Sequence, residues 1–461
     1  MDQSTLHIVM YPWFAFGHMN SFLNLANKFA LRGHRISFFT PTKAQAKLEP
    51  SNAYPNLIRF IPIVVPHVEG LPVGAETTAD VPDDKGSLIM TAMDRTRPDV
   101  EVALKELKPD LVFFDFTYWL PSVTRPLGIK SVQYCITSTA TVAYILVPAS
   151  SRLDKGLQLS EEELMNPPPD FPPNSSIKLH RHEARSLSHT TYRQYGDNIS
   201  FHERLVYSLR DADAFGFRSC KEIEGPYCDY VGNHFGKPTL LLGLTLPTPP
   251  STQLEEKWAK WLNQCKPGSV IFCAFGSECV MEKNQFQELL LGFELTGLPF
   301  FVALKPPTGT NTVDEALPEG FKERVQGRGI VEGGWVQQQH IMAHPSVGCF
   351  VGHSGLSSVT EALINNPQLI LIPQRGDQYI IVRLMSGDLK VAVEIEAREE
   401  DGWYTKENVC NAVNTVMDEN NETGKQVRAN RLKLKEFLLR DDLEASCIDT
   451  SLEKMKAMVK K

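Results

Sequence analysis

No apolar run in this 461-residue sequence approaches the ~18 residues that a membrane-spanning helix needs. That excludes insertion into a membrane by helices. The first apolar stretch, His7 to Phe16, has no basic segment before it and no small-residue cleavage site, so the expected compartment is the cytosol. The nine cysteines are odd in number and contain no Cys-x-x-Cys pair, which fits free thiols in a reducing compartment better than a disulfide scaffold. There is no basic excess either. A net charge of -8 and a pI near 5.9 offer nothing to attract nucleic acid or an anionic membrane, so an anionic ligand must be held by a local site. Short repeats, heptad runs and low-complexity segments are also missing. Three Asn-x-Ser/Thr sites, at Asn174, Asn198 and Asn421, read as chance matches in a chain without a secretory leader. The expected assembly is a monomer.

What remains is ordinary globular composition, 42% hydrophobic and 22% charged. The length exceeds the ~250–300 residues at which single cores stop growing, so two domains are expected. The opening reads as a β-α-β unit: strand Leu6–Met10, a loop through Gly17, a helix with Phe22, Leu25, Ala26 and Phe29 on one face, then Gly33 and strand Arg35–Phe39. Further strands fit 110–114, ending at Asp115, and 131–135. From about 154 to 191 the chain is proline-rich and polar, which predicts an irregular insertion. Prolines again cluster at 246–253, the expected linker between a first domain at 1–245 and a second at 254–461. The β-α pattern then restarts, with strands at 269–275, 300–304, 329–332, 348–351 and 369–372. The fold class predicted is α/β, two Rossmann-like, doubly wound domains facing across a cleft, with the last helix able to pack back on the first domain.

The stretch from Trp335 to Gln378 carries the most chemistry. After the strand ending at Val351 comes His353-Ser354-Gly355-Leu356-Ser357-Ser358, then a helix through Glu361. A glycine- and hydroxyl-rich turn that opens a helix presents backbone N–H groups and a positive dipole end, which suits a phosphate. A serine-capped helix without a ligand would look the same locally.

The whole block resembles the signature of the plant secondary-product glycosyltransferases, which runs from a tryptophan to a glutamine. The matching residues are Trp335, Gln338, His344 to Val351, His353, Gly355, Ser358, Glu361, Pro373-Gln374 and Asp377-Gln378. The resemblance implies the GT-B fold and a UDP-sugar as co-substrate, with no permanently bound cofactor and no metal. By motif position, Trp335 would stack on uracil, with Val336 and Gln338 beside it, and Glu361 would hold the ribose hydroxyls. His353, with Ser357, Ser358 and the earlier Ser277, would contact the diphosphate, Gly355 would belong to the same donor site, Leu356 would lie beside the sugar, and Asp377 and Gln378 would meet its hydroxyls. In the first domain His18 matches the family's general base, and Asp115 the aspartate that orients it.

Several positions depart from the commonest family pattern. Leu356 stands for a tryptophan, Ser357 for an asparagine, Gln337 for a proline, Arg375 for a tryptophan and Ser21 for a proline. Together with the stretches 12–18 and 70–77 they resemble the branch-forming group, which extends a sugar already attached to a flavonoid, phenylpropanoid or terpenoid. The expected acceptor is therefore a small-molecule glycoside, and the donor UDP-glucose, UDP-rhamnose or UDP-xylose. Transfer to an aglycone, and a non-catalytic UDP-sugar-binding protein, are the competing readings. Phe14, Phe16, Tyr118 and Trp119 are candidate acceptor contacts, although they would suit a hydrophobic core equally well.

Overall fold

A computed structural model describes residues 5–153, 155–246, 252–276 and 279–460. Two all-parallel sheets organise it. The first contains β1 (His7–Tyr11), β2 (Arg35–Pro41), β3 (Ile58–Ile63), β4 (Leu111–Phe114), β5 (Lys130–Cys135), β6 (Ala214–Phe217) and β7 (Thr239–Leu241), in the order β3-β2-β1-β4-β5-β6-β7. The second contains β8 (Val270–Ala274), β9 (Phe300–Ala303), β10 (Gly329–Glu332), β11 (Val347–Gly352), β12 (Gln368–Leu371) and β13 (Ala392–Glu394), in the order β10-β9-β8-β11-β12-β13.

The central strands are near-continuous apolar runs because helices cover both of their faces. Every residue of β4 and β8 is buried. On one face of the first sheet, Phe22 and Phe29 from helix Phe16–Ala30 pack with Phe38, Phe113 and Tyr134. The final helix, Leu443–Val459, adds Ile448, Leu452 and Met455 to that same cluster. Its Ser451 hydroxyl donates to the Leu241 carbonyl at 2.9 Å, and Lys28 bonds Glu444 at 2.5 Å. The final helix therefore packs on the first sheet.

Both sheets reverse their winding between adjacent strands, β1 against β4 and β8 against β11. At such a switch point the connecting segments diverge to opposite sides and leave a crevice outside the strands' C-terminal ends. Helix Phe16–Ala30 follows β1, and its first turn contains His18. The loop expected to run through Gly17 ends sooner: the extended Ala15 starts the helix at Phe16, and its carbonyl accepts the His18 N–H at 3.0 Å.

The proline-rich segment also has more order than expected. Helix Arg181–Thr191 closes it, started by a box in which the Glu183 carboxylate accepts from the His180 N–H at 2.7 Å. Of the expected linker at 246–253, residues 247–251 lie outside the described residues. Among the described residues no helix is long and apolar enough to cross a membrane. All nine cysteines are free.

Candidate active site

The loops leaving β1, β4, β8, β11 and β12 converge on one cleft of about 820 Å³. On the first-domain wall, His18 Nδ1 lies 2.6 Å from Asp115 Oδ2. The other carboxylate oxygen accepts the N–H groups of Trp13, at 2.8 Å, and Phe116, at 2.7 Å. A carboxylate fixed by two backbone donors is rigid. Because a carboxylate only accepts, the proton of the His18–Asp115 bond belongs to Nδ1, and in the neutral imidazole Nε2 then carries the lone pair. The imidazole is also flanked by the Phe116 ring, 5.2 Å between centroids.

The opposite wall is built from the turn 353–358. Ser354 adopts a left-handed backbone, φ 64°, which turns the chain from β11 into helix Leu356–Ile364. No side chain caps that helix, so its first N–H groups face the cleft without a side-chain partner. The His353 ring is gripped by two glycines. A Cβ at Gly276 (φ 69°) would meet the ring at 3.2 Å, and one at Gly355 would meet Nε2 at 2.6 Å. His353 Nδ1 is buried with no hydrogen-bond partner among the described residues. Burial, reinforced by the Arg375 charge, pulls the imidazole down to about 4, so it is neutral near pH 7.

Asp377 accepts a 2.5 Å hydrogen bond from Thr137 of the first domain. Burial pushes its carboxyl above the ordinary value, while Thr137, Arg375 and His18 pull it back. The Gln378 amide oxygen accepts from the backbone of Gln374, at 2.9 Å, and of Arg375, at 3.3 Å, which closes the loop after β12. Gly355, Leu356, Ser357 and Ser358 line the same cleft. Ser277 lies outside the described residues.

Trp335, Gln338 and Glu361 are not among the residues that line the cavity. Gln338 Nε2 donates to Glu361 Oε2 at 2.7 Å, and Gln339 reaches the other oxygen at 3.4 Å. Val336 is buried, but Trp335 is 83% exposed.

For the four aromatic acceptor candidates the sequence leaves a pocket and a core equally open. Phe14 and Trp119 are core residues packed around Tyr11, Phe16 lies against Lys47, and Tyr118 pairs with Tyr207 and Arg204. None lines the cleft. Its apolar end is made instead by Phe116, Val142, Ile145, Leu146, Leu187 and Phe201. Two of these helices had no legible pattern: a π-helical turn at Val142–Leu146, and helix Arg181–Thr191 inside the proline-rich stretch.

Arg218 was also missed. It follows β6 directly, at the C-terminal end of the strand where crevice residues belong, but that four-residue strand gives no signal that the sequence alone would reveal. It is 7% exposed and lines the cleft, and its Nη1 donates to the Ser357 hydroxyl at 3.1 Å.

Comparison with known proteins identifies the family. Residues 325–434 match the family model described as UDP-glucoronosyl and UDP-glucosyl transferase. A cyanidin 3-O-galactoside 2''-O-xylosyltransferase of Actinidia chinensis var. chinensis is 54% identical, with 100% of each chain covered. An anthocyanidin 3-O-glucoside 2''-O-glucosyltransferase of Ipomoea purpurea is 51% identical, with 99% of each chain covered. Among solved structures, a Glycyrrhiza uralensis protein, UGT73P12 complexed with glycyrrhetinic acid 3-O-monoglucuronide, superposes with a TM-score of 0.78 at 21% identity, covering 98% of this chain and 96% of that one.

Proposed function

The chain belongs to the plant UDP-glycosyltransferase family and is a UDP-sugar-dependent transferase, and on that premise we propose how its residues divide the work. The single observation that carries the reading is the His18–Asp115 pair opening onto the same cleft as the uncapped helix N-terminus at Leu356. A base and an anion site belong on opposite walls if an acceptor hydroxyl is to attack a carbon whose leaving group is a diphosphate.

In the proposed reaction, residues 1–245 hold the acceptor and 254–461 the donor. Trp335 stacks on uracil and Glu361 takes the ribose hydroxyls, displacing the amides of Gln338 and Gln339. The diphosphate accepts from the helix N–H groups, from Ser357 and Ser358, and from neutral His353, whose unpartnered buried Nδ1 supports the presence of a bound group there. Asp377 and Gln378 contact the sugar. The acceptor hydroxyl gives its proton to His18 Nε2 as its oxygen bonds the anomeric carbon. The bond from that carbon to the β-phosphate breaks, its electron pair leaves with UDP, and configuration inverts. Asp115 stabilises the imidazolium that forms. These donors supply the stabilisation of leaving-group charge, so no metal is required.

The acceptor is proposed to be a flavonoid or anthocyanin glycoside, glycosylated on its existing sugar, and the donor UDP-glucose, UDP-xylose or UDP-rhamnose. The two relatives at 51% and 54% identity, both named for transfer to the 2'' position of an anthocyanin 3-O-glycoside, support that choice. The protein is proposed to act in the cytosol as a monomer.

A mass-spectrometric transfer assay with EDTA present tests this by crossing the three donors with glycosides and their aglycones. A gain of one sugar on a glycoside is expected. Gain on aglycones alone refutes the branch-forming role, and no gain with any pair refutes the acceptor class.

A further inference from the structure

We propose that Arg218, a first-domain side chain outside the recognised signature, contacts the diphosphate of the bound nucleotide sugar and stabilises the charge that UDP acquires as the anomeric bond breaks. The proposal rests on the nucleotide-sugar reading above.

The guanidinium is held from behind. Nε donates to the Leu244 carbonyl at 2.8 Å and Nη2 to the Thr245 carbonyl at 3.5 Å, while Nη1 crosses to the second domain and donates to Ser357 Oγ at 3.1 Å. Five N–H donors are available on a guanidinium, and these three bonds leave two of them. Among the described residues no carboxylate forms an ion pair with Arg218. Glu361 acts on it only through space, and burial lowers its proton affinity without making it neutral at physiological pH.

A buried cation without a counter-ion is costly. Here the cost is compounded by what the cation faces. Ser357 is in the first turn of helix Leu356–Ile364, whose uncapped N-terminus is itself a positive dipole end. A guanidinium and a helix N-terminus that meet at one hydroxyl repel each other unless an anion lies between them. The donor diphosphate is the anion of that size and charge which the reaction brings to this wall. Planar guanidinium forks bind phosphate oxygens through paired charge-assisted bonds.

Geometry also ties this contact to domain approach. The diphosphate site belongs to the second domain, whereas Arg218 is anchored on the first by two backbone carbonyls. Its donors reach the phosphates only when the walls are as close as the 3.1 Å bond to Ser357 requires. Leaving-group stabilisation is thereby available when the His18 wall is also in place. When the bond between the anomeric carbon and the β-phosphate oxygen breaks, the electron pair stays on that oxygen. Arg218 N–H groups then hydrogen-bond to the added charge.

The test compares UDP with uridine, which lacks the diphosphate, by calorimetric titration of the full-length protein. Arg218→Gln keeps an amide able to reach the Leu244 carbonyl but removes the charge. It is expected to weaken UDP binding by about 10- to 100-fold, the usual size for one charged hydrogen-bonding group, while uridine binding stays unchanged. Sugar transfer should show a lowered kcat with the acceptor KM unaltered, and Arg218→Lys should recover part of both losses. Unchanged UDP affinity in Arg218→Gln overturns the proposal. So does an equal loss for UDP and uridine, which would mark a structural role. If Arg218→Gln does not fold, Arg218→Lys decides by the same ratio: an ammonium keeps the charge but not the paired bonds, so UDP should still weaken more than uridine, and an unchanged UDP affinity or an equal loss of both overturns the proposal. Wild-type protein that fails to bind UDP at all overturns the nucleotide-sugar reading itself.

Discussion

Asp115 touches His18 with one carboxylate oxygen, 2.6 Å from Nδ1, and is fixed through the other by the N–H groups of Trp13 and Phe116. The two residues are 97 positions apart in sequence, yet each leaves the C-terminal end of a neighbouring strand at the switch point. The fold aligns the pair, and no local sequence motif does.

Removing the base should therefore separate chemistry from binding. His18→Ala is expected to lower kcat by roughly 100- to 10,000-fold, the usual worth of a positioned general base, with UDP affinity unchanged. Asp115→Asn leaves the ring in place but favours the wrong tautomer, and it should lose nearly as much. Rapid-quench transfer assays alongside UDP titration check both. Full turnover by His18→Ala would remove the base assignment.

How much of this was legible in the sequence depends on burial and reach. The nine strands expected from apolar runs are all present, because central parallel strands are covered on both faces and show as unbroken hydrophobic stretches. The four that went unread, β3, β6, β7 and β13, are short, or edge strands, or both. β3 carries Pro62, which only an edge strand tolerates readily. In the site, residues in a fixed-length block could be named in advance. Arg218, Thr137 and the apolar lining could not, because their place depends on contacts between segments far apart in the chain. The acceptor aromatics show the same limit. Phe14 and Trp119 are close in sequence to His18 and Asp115 but point into the core, and adjacency along a chain does not select a face.

Trp335 offers a cleaner test of donor recognition because it supports little else. With its side chain 83% exposed, Trp335→Ala should change stability by less than ~0.5 kcal/mol. If the indole stacks on uracil, the same variant should lose about 1–3 kcal/mol of uridine affinity. Glu361→Ala should weaken uridine comparably by losing the ribose contact. Thermal melts with nucleoside titrations measure the two quantities separately, and undiminished uridine binding by either variant withdraws that residue's role.

The depressed imidazole of His353 gives a pH prediction with a definite sign. Its pKa is about 4 in the folded protein and near 6.5 when unfolded, so between those values the unfolded chain binds more protons. Stability then rises with pH across the window and is lost as pH falls from 6.5 toward 4. Other buried histidines, including His34 and His202, shift the same way and add to the slope. His353→Gln should flatten the dependence of Tm on pH between 6.5 and 4. It should also weaken UDP more than uridine. An unaltered slope would mean that His353 is not held neutral by its surroundings.

Arg383, at the end of the short helix that begins at Gln378, links the two domains. Its Nη2 reaches both oxygens of Glu183 on the first domain, at 3.0 and 3.1 Å, while Nη1 bonds Glu394 on its own domain. Glu183 is 1% exposed, and burial together with the Glu183 charge pushes Glu394 up to about 7 despite the arginine's opposing pull. Arg383→Met would strand two carboxylates around an apolar side chain, one of them fully enclosed. The expected loss is about 3–5 kcal/mol, the size seen when one partner of a buried pair is removed. Adding Glu183→Gln should restore part of it, because the stranded charge is then gone. Urea denaturation midpoints of the single and double variants measure this. A double variant no more stable than Arg383→Met would show that the lost stability came from packing of the arginine stem and not from the uncompensated carboxylate.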